Sequence, residues 1–124
     1  MDLKKRTRIF ISSLLITIAA TRILLFFFPS ANLSILSYNV HHLFTGVVLT
    51  IVSSIFLVLN IINRYTIILA AVGSGLMVDQ MVYLISTDGS DLAYSSNISL
   101  LGAAMTSAIV LAITLIAYKY KKRD

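Results

Sequence analysis

The sequence predicts an all-α fold: a four-helix transmembrane bundle, up-down-up-down, with both termini cytoplasmic. Three observations predict it. Of 124 residues, 58% are hydrophobic and only 12% charged, against roughly 45–50% and about 25% in soluble domains. The apolar residues gather into four stretches, each near the roughly 20 residues that cross a bilayer as helix. Nine of the ten Lys and Arg residues lie at the two ends or in the middle connection. This composition cannot clothe a soluble domain, and it excludes disorder, which needs polar and highly charged sequence. No cysteine is present, which removes disulfides, thiolate metal sites and cysteine nucleophiles.

The first stretch, 9–28, follows Lys4, Lys5, Arg6 and Arg8 and stops at Pro29, which cannot extend a helix regularly. It is longer than a signal-peptide apolar region and ends in Phe26, Phe27 and Phe28 rather than a small-residue cleavage site. It is therefore read as a permanent span. The second stretch, 40–62, begins at the His41-His42 pair and runs into a tight turn at Asn60, Asn63, Arg64 and Tyr65. The third, 66–85, carries Ala70, Ala71, Gly73, Ser74 and Gly75, small residues that let helix backbones approach closely in lipid. The loop from Ser86 to Asn97 contains the Asp88-Gly89 turn signal, and Ser96 or Asn97 is placed to cap the next helix. The fourth stretch, 98–118, has Gly102 among further small residues and is followed by Lys119, Lys121, Lys122 and Arg123. Gly46, Ala71, Gly73, Gly75 and Gly102 are the expected close-packing positions. The whole chain, 1–124, reads as one domain with no internal repeat.

Lys and Arg favour the cytoplasmic side of a membrane. The two basic ends and Arg64 therefore face the cytoplasm, and Asp88 and Asp91 mark an outer loop of the cell membrane. The net charge of +5 is a topology signal that also attracts anionic headgroups. The basic runs are short and terminal and give no support for a nucleic-acid partner. Two N-x-S patterns, at Asn32 and Asn97, fall in the outer loops and carry little weight.

Arg22 and Asp79 are the only charges inside the spans, each thirteen residues into spans that run in the same direction. They are expected at one depth in the outer half of the bilayer, where ionisable groups face a bundle interior or a cavity. Their pairing either fixes helix register or serves a site. His41 and His42 begin the second span beside the end of the third, above or level with Asp79, Gln80 and Tyr83. Consecutive helical residues point about 100° apart, so the two histidines do not share one small site easily. His42 opens a polar, small face with Gly46, Thr50 or Ser53, and Asn60 that is expected to look inward. The candidate polar cluster is Arg22, His41, His42, Asp79, Gln80 and Tyr83. Imidazole and carboxylate suit a divalent metal, for which His41, His42 and Asp79 are the candidate ligands. They equally suit a proton relay, a lipid or a quinone, or histidines that only meet water and headgroups.

The pairing of His41-His42-Leu43-Phe44-Thr45-Gly46 with Gly73-Ser74-Gly75-Leu76-Met77-Val78-Asp79-Gln80 resembles a group of small prokaryotic, notably archaeal, integral membrane proteins without assigned function. Those carry an HHxxxG-like start on one helix and a GxGLxxDE-like segment on the next. The resemblance covers about a third of the chain and implies a site at His41, His42, Gly46, Gly73, Gly75 and Asp79. This chain departs from the pattern at Gln80, where the family has a glutamate, and so lacks that carboxylate's charge and proton transfer. Three functions follow as expectations. The first is a binding or accessory protein that packs on copies of itself or on a larger membrane complex. The second is an outer-leaflet site for a metal, lipid or quinone. The third is an intramembrane enzyme using His42 and Asp79, with no recognisable nucleophile motif or phosphate loop to support it.

Overall fold

The computed structural model describes residues 1–28, 33–35 and 38–123. Helix α1, Leu3–Phe27, starts six residues before the expected stretch. Asp2 caps it by accepting from Lys5 N–H at 2.8 Å, and Lys and Arg are good helix formers, so the basic leader joins the helix. A short antiparallel ribbon follows, β1 Leu33–Ile35 with β2 Tyr38–Val40, pairing Leu33 with Val40 and Ile35 with Tyr38. This ribbon departs from a purely helical reading and takes Val40 out of the second helix.

Helix α2 is His42–Val58, shorter than the expected 40–62. Its early end has a clear cause. Asn60 takes φ 58°, and Ile61 N–H donates to Phe56 O at 2.8 Å while Asn60 N–H donates to Leu57 O at 3.1 Å. These are the two bonds of a left-handed helix stop, for which Asn is well suited after Gly. Helix α3, Arg64–Ser86, begins on Asn63, whose side chain accepts from Tyr65 and Thr66 N–H. A one-turn helix α4, Asp91–Tyr94, follows the turn at Gly89, φ 73°. Helix α5, Asn97–Lys121, is capped by Ser96.

Helices α1, α3 and α5 are long and apolar enough to cross a membrane, and the chain is a helical membrane protein. At about 1.5 Å per residue, α2 spans roughly 26 Å and is the shortest of the four long helices. Helix α3 packs against α1, α2 and α5 and is the centre of the assembly. Half of its apolar stretch is buried inside the chain, against 11% for α1 and α5.

Each of the three contacts is made close by glycine. Against α2, a Cβ on Gly73 would fall 2.6 Å from Thr50 Oγ1 and 2.9 Å from Gly46 O, and one on Gly46 would fall 2.7 Å from Gly73 O. Against α1, a Cβ on Gly75 would meet Thr17 at 3.0 Å, beside the fully buried Leu14. Against α5, a Cβ on Gly102 would fall 2.2 Å from Val82 Cγ1. Thr106 Oγ1 also donates to Val78 O at 3.1 Å across this last contact. Ala71 is fully buried, and Gly46 and Ser53 are the buried residues of α2, so the small face that begins at His42 looks inward as far as Ser53, whereas Asn60, expected to end it, is exposed and lies beyond the helix.

Candidate functional site

The polar residues at the end of the bundle away from the chain termini divide into two groups, on two different sides of α3. The first is built on Asp79, 1% exposed. Arg22 of α1 donates from Nε to Asp79 Oδ1 at 2.5 Å, and Tyr94 donates its hydroxyl to Asp79 Oδ2. The expected pairing at matched depth is therefore present. The guanidinium goes on to donate from Nη1 to Tyr94 O at 3.0 Å and from Nη2 to Asp79 O, Ser99 O and Ser99 Oγ at 3.1–3.2 Å. Its carbon also lies 4.2 Å from the centroid of the Tyr94 ring, a cation–π stack. One side chain from α1 thus ties together α3, α4 and the first turn of α5. Arginine suits this role because its planar fork carries five donors and remains charged.

The second group lies between α2 and α3. Gln80 Oε1 accepts from Leu43 N–H at 2.7 Å. His41, at the N-cap of α2, makes no capping bond, so Gln80 supplies from another helix the acceptor that the free N–H needs. An N–H can only donate, which fixes the orientation of the Gln80 amide. Its Nε2 faces His42 Nδ1 at 3.4 Å and donates to it when the imidazole carries its proton on Nε2. The two groups are bridged by rings. Tyr83 meets Tyr94 edge-on at 5.3 Å and His41 at 6.2 Å, and its hydroxyl donates to Ser90 O at 3.1 Å.

This arrangement corrects the expected metal set. Asp79 and Gln80 are neighbours on α3 and point about 100° apart, and His41 and His42 diverge in the same way. Asp79 is held on the α1/α5 side while His42 faces Gln80 on the α2 side. Among the described residues, no three His, Asp, Glu or Cys side chains converge to hold a metal ion, so His41, His42 and Asp79 do not form one ligand set. Arg22, expected at the edge of the cluster, is its most connected member.

Tyr94 and Ser99 belong to the site although the sequence did not single them out. Tyr94 reads as part of a loop, and Ser99 as one small residue among many. Their only signal was position, after the Asp88-Gly89 turn and beside the helix cap. Burial and the neighbouring Asp79 carboxylate push the Tyr94 phenol well above its ordinary value near 10, so it stays a donor. Among the described residues, no buried side-chain nitrogen or oxygen lacks a partner. A crevice of about 330 Å³ opens at the network where Arg22 meets Phe26, Phe27, Tyr94 and Leu100. Chemically, the first group neutralises a buried charge and holds three elements in register.

Compared with known proteins, the chain matches no protein-family model, no curated protein and no solved structure.

Proposed function

We propose that the chain is a four-span protein of the cell membrane, up-down-up-down with both termini cytoplasmic, whose role is binding or assembly: an accessory subunit that packs on copies of itself or in a larger membrane complex. The observation that carries this reading is the saturation of the polar network. Both Asp79 oxygens and the guanidinium of Arg22 are committed to the protein's own groups, so Asp79 is a poor acid or base for a substrate. The partner surface is instead apolar. Phe44, Val48, Ile51, Ile55 and Val58 form one exposed stripe along α2 at helical spacing, beside a groove of about 470 Å³ that reaches Met77. The kinship with small prokaryotic membrane proteins is part of the same proposal. It is supported by the way its two segments meet, Gly46 on Gly73 and His42 on Gln80.

Purification in mild detergent with in-membrane cross-linking tests the assignment. Oligomers, or a co-purifying membrane protein, cross-linked from cysteines placed along the α2 stripe support it. A strictly monomeric protein with no such product contradicts it.

A second reading keeps an outer-leaflet ligand site for a lipid or quinone, favoured by the crevice at Arg22. It predicts that a bulky Leu100→Trp replacement displaces a bound lipid or quinone extracted from the pure protein.

A further inference from the structure

The end of the molecule that carries both chain termini has a crevice of about 480 Å³ where α1, α2, α3 and α5 come together. Its mouth holds two cations, Arg6 in the first turn of α1 and Lys121 in the last turn of α5. Its apolar lining includes Phe10, Ile67, Ile113 and Tyr118. We propose that this crevice binds one anionic phospholipid, with the phosphate between Arg6 and Lys121 and an acyl chain along Phe10, Ile67 and Ile113. The inference goes beyond an assembly role and needs only that α1 and α5 cross the membrane.

Depth supports it first. Helices α1 and α5 have 25 residues each, about 38 Å against a hydrocarbon core of about 30 Å. Their ends therefore stand in the headgroup layer. Phe10 lies one turn inward from Arg6, and Ile113 two turns inward from Lys121, roughly 12 Å deeper. The crevice thus runs from headgroup depth to acyl depth, the polarity profile of a phospholipid.

Charge supports it second. Arg6 uses Nε on Met1 O at 2.8 Å, which orients its guanidinium and leaves the other nitrogens for a ligand. Among the described residues, neither Arg6 nor Lys121 pairs with a carboxylate. The openings at Arg22 and along α2 lack this property. The one at Arg22 is neutralised by Asp79, and the groove along α2 has no charged lining residue. Basic pockets between spans on the headgroup side are a recurring form of anionic-lipid recognition.

The test is native mass spectrometry of the delipidated full chain in mild detergent, titrated with phosphatidylglycerol or phosphatidylcholine of matched chains. One phosphatidylglycerol should be retained in preference to phosphatidylcholine. Arg6→Gln and Lys121→Gln should each weaken its retention about fivefold. Lys4→Gln with Lys5→Gln removes two charges outside the crevice, one more than either single variant, and should leave retention unchanged. Ala117→Trp, one turn from both Lys121 and Ile113, should abolish it with every charge in place. Glycerol phosphate at the same concentration should not compete, because it lacks the acyl chain. Equal retention of the two lipids, equal loss in the Lys4/Lys5 variant, or full retention by Ala117→Trp would each overturn the proposal.

Discussion

Gln80 on α3 accepts the free N–H of Leu43 at 2.7 Å and so caps α2 from a neighbouring helix. Replacing a capping acceptor typically costs about 1 kcal/mol. Gln80→Leu should lose about that much stability and expose the Leu43 amide to hydrogen exchange. Gln80→Glu should keep the amide protected, because a carboxylate accepts the same bond and favours a helix N-terminus. Unchanged exchange at Leu43 in Gln80→Leu would contradict the cap.

Tyr94 fastens α4 to Asp79. Its hydroxyl meets a charged acceptor, a bond worth about 1.5–3 kcal/mol. Tyr94→Phe should lower stability by that order at neutral pH. The phenol is raised in the folded state, so its contribution is complete below the ordinary value near 10 and is lost as pH rises beyond it. The advantage of the native chain over Tyr94→Phe should therefore be constant at neutral pH and shrink above pH ~10. Tyrosinate absorbance supplies the direct check: at pH ~10–11 the folded native chain should show no more ionised tyrosine than folded Tyr94→Phe.

The glycines of α2, α3 and α5 should be ranked by what a methyl group would meet. Gly73→Ala and Gly46→Ala place it against backbone, at 2.8 Å from Thr50 N and 2.7 Å from Gly73 O, and neither can yield. Gly102→Ala meets the Val82 side chain at 2.2 Å. Each should cost about 1–3 kcal/mol through forced separation of the helices. Gly89→Ala has open space, its nearest atom 3.9 Å away, and should cost only the strain of its positive φ, about 1–2 kcal/mol. Equilibrium unfolding in detergent gives the ranking.

The absence of cysteine makes the topology directly measurable. Single cysteines at Lys4, Arg64, Asp88 and Lys122 should divide cleanly under a membrane-impermeant maleimide. Asp88→Cys should label on intact cells, and the other three only after permeabilisation. Labelling of Arg64→Cys from outside would remove one of the four spans.

Much of this architecture is written in the residues, because lipid leaves few alternatives for them. Four apolar stretches and nine placed cations predict the four long helices, and equal spacing into parallel spans predicts that Arg22 meets Asp79. The close-packing glycines are legible for the same reason, since a small residue in lipid has little use except approach. The rest depends on geometry that a one-dimensional pattern does not carry. Asn60 ends α2 early by adopting a left-handed backbone, which an apolar run through Ile61 and Ile62 conceals. Tyr94 and Ser99 enter the network only because α4 folds the loop back over Arg22. The metal set does not converge for the reason the spacing of the two histidines already signalled, which holds for Asp79 and Gln80 as well: neighbours on a helix point about 100° apart.

Arg22 and Asp79 act as one structural lock, which a double-mutant cycle tests most directly. Removing one partner of a buried pair strands the other, at a cost of about 3–5 kcal/mol. Arg22→Met and Asp79→Leu should each destabilise the chain by that order in detergent unfolding. The double variant should be no less stable than either single one, because two apolar side chains strand no charge. Additive losses, with the double variant near the sum of the two, would show that the residues act independently and would contradict the lock.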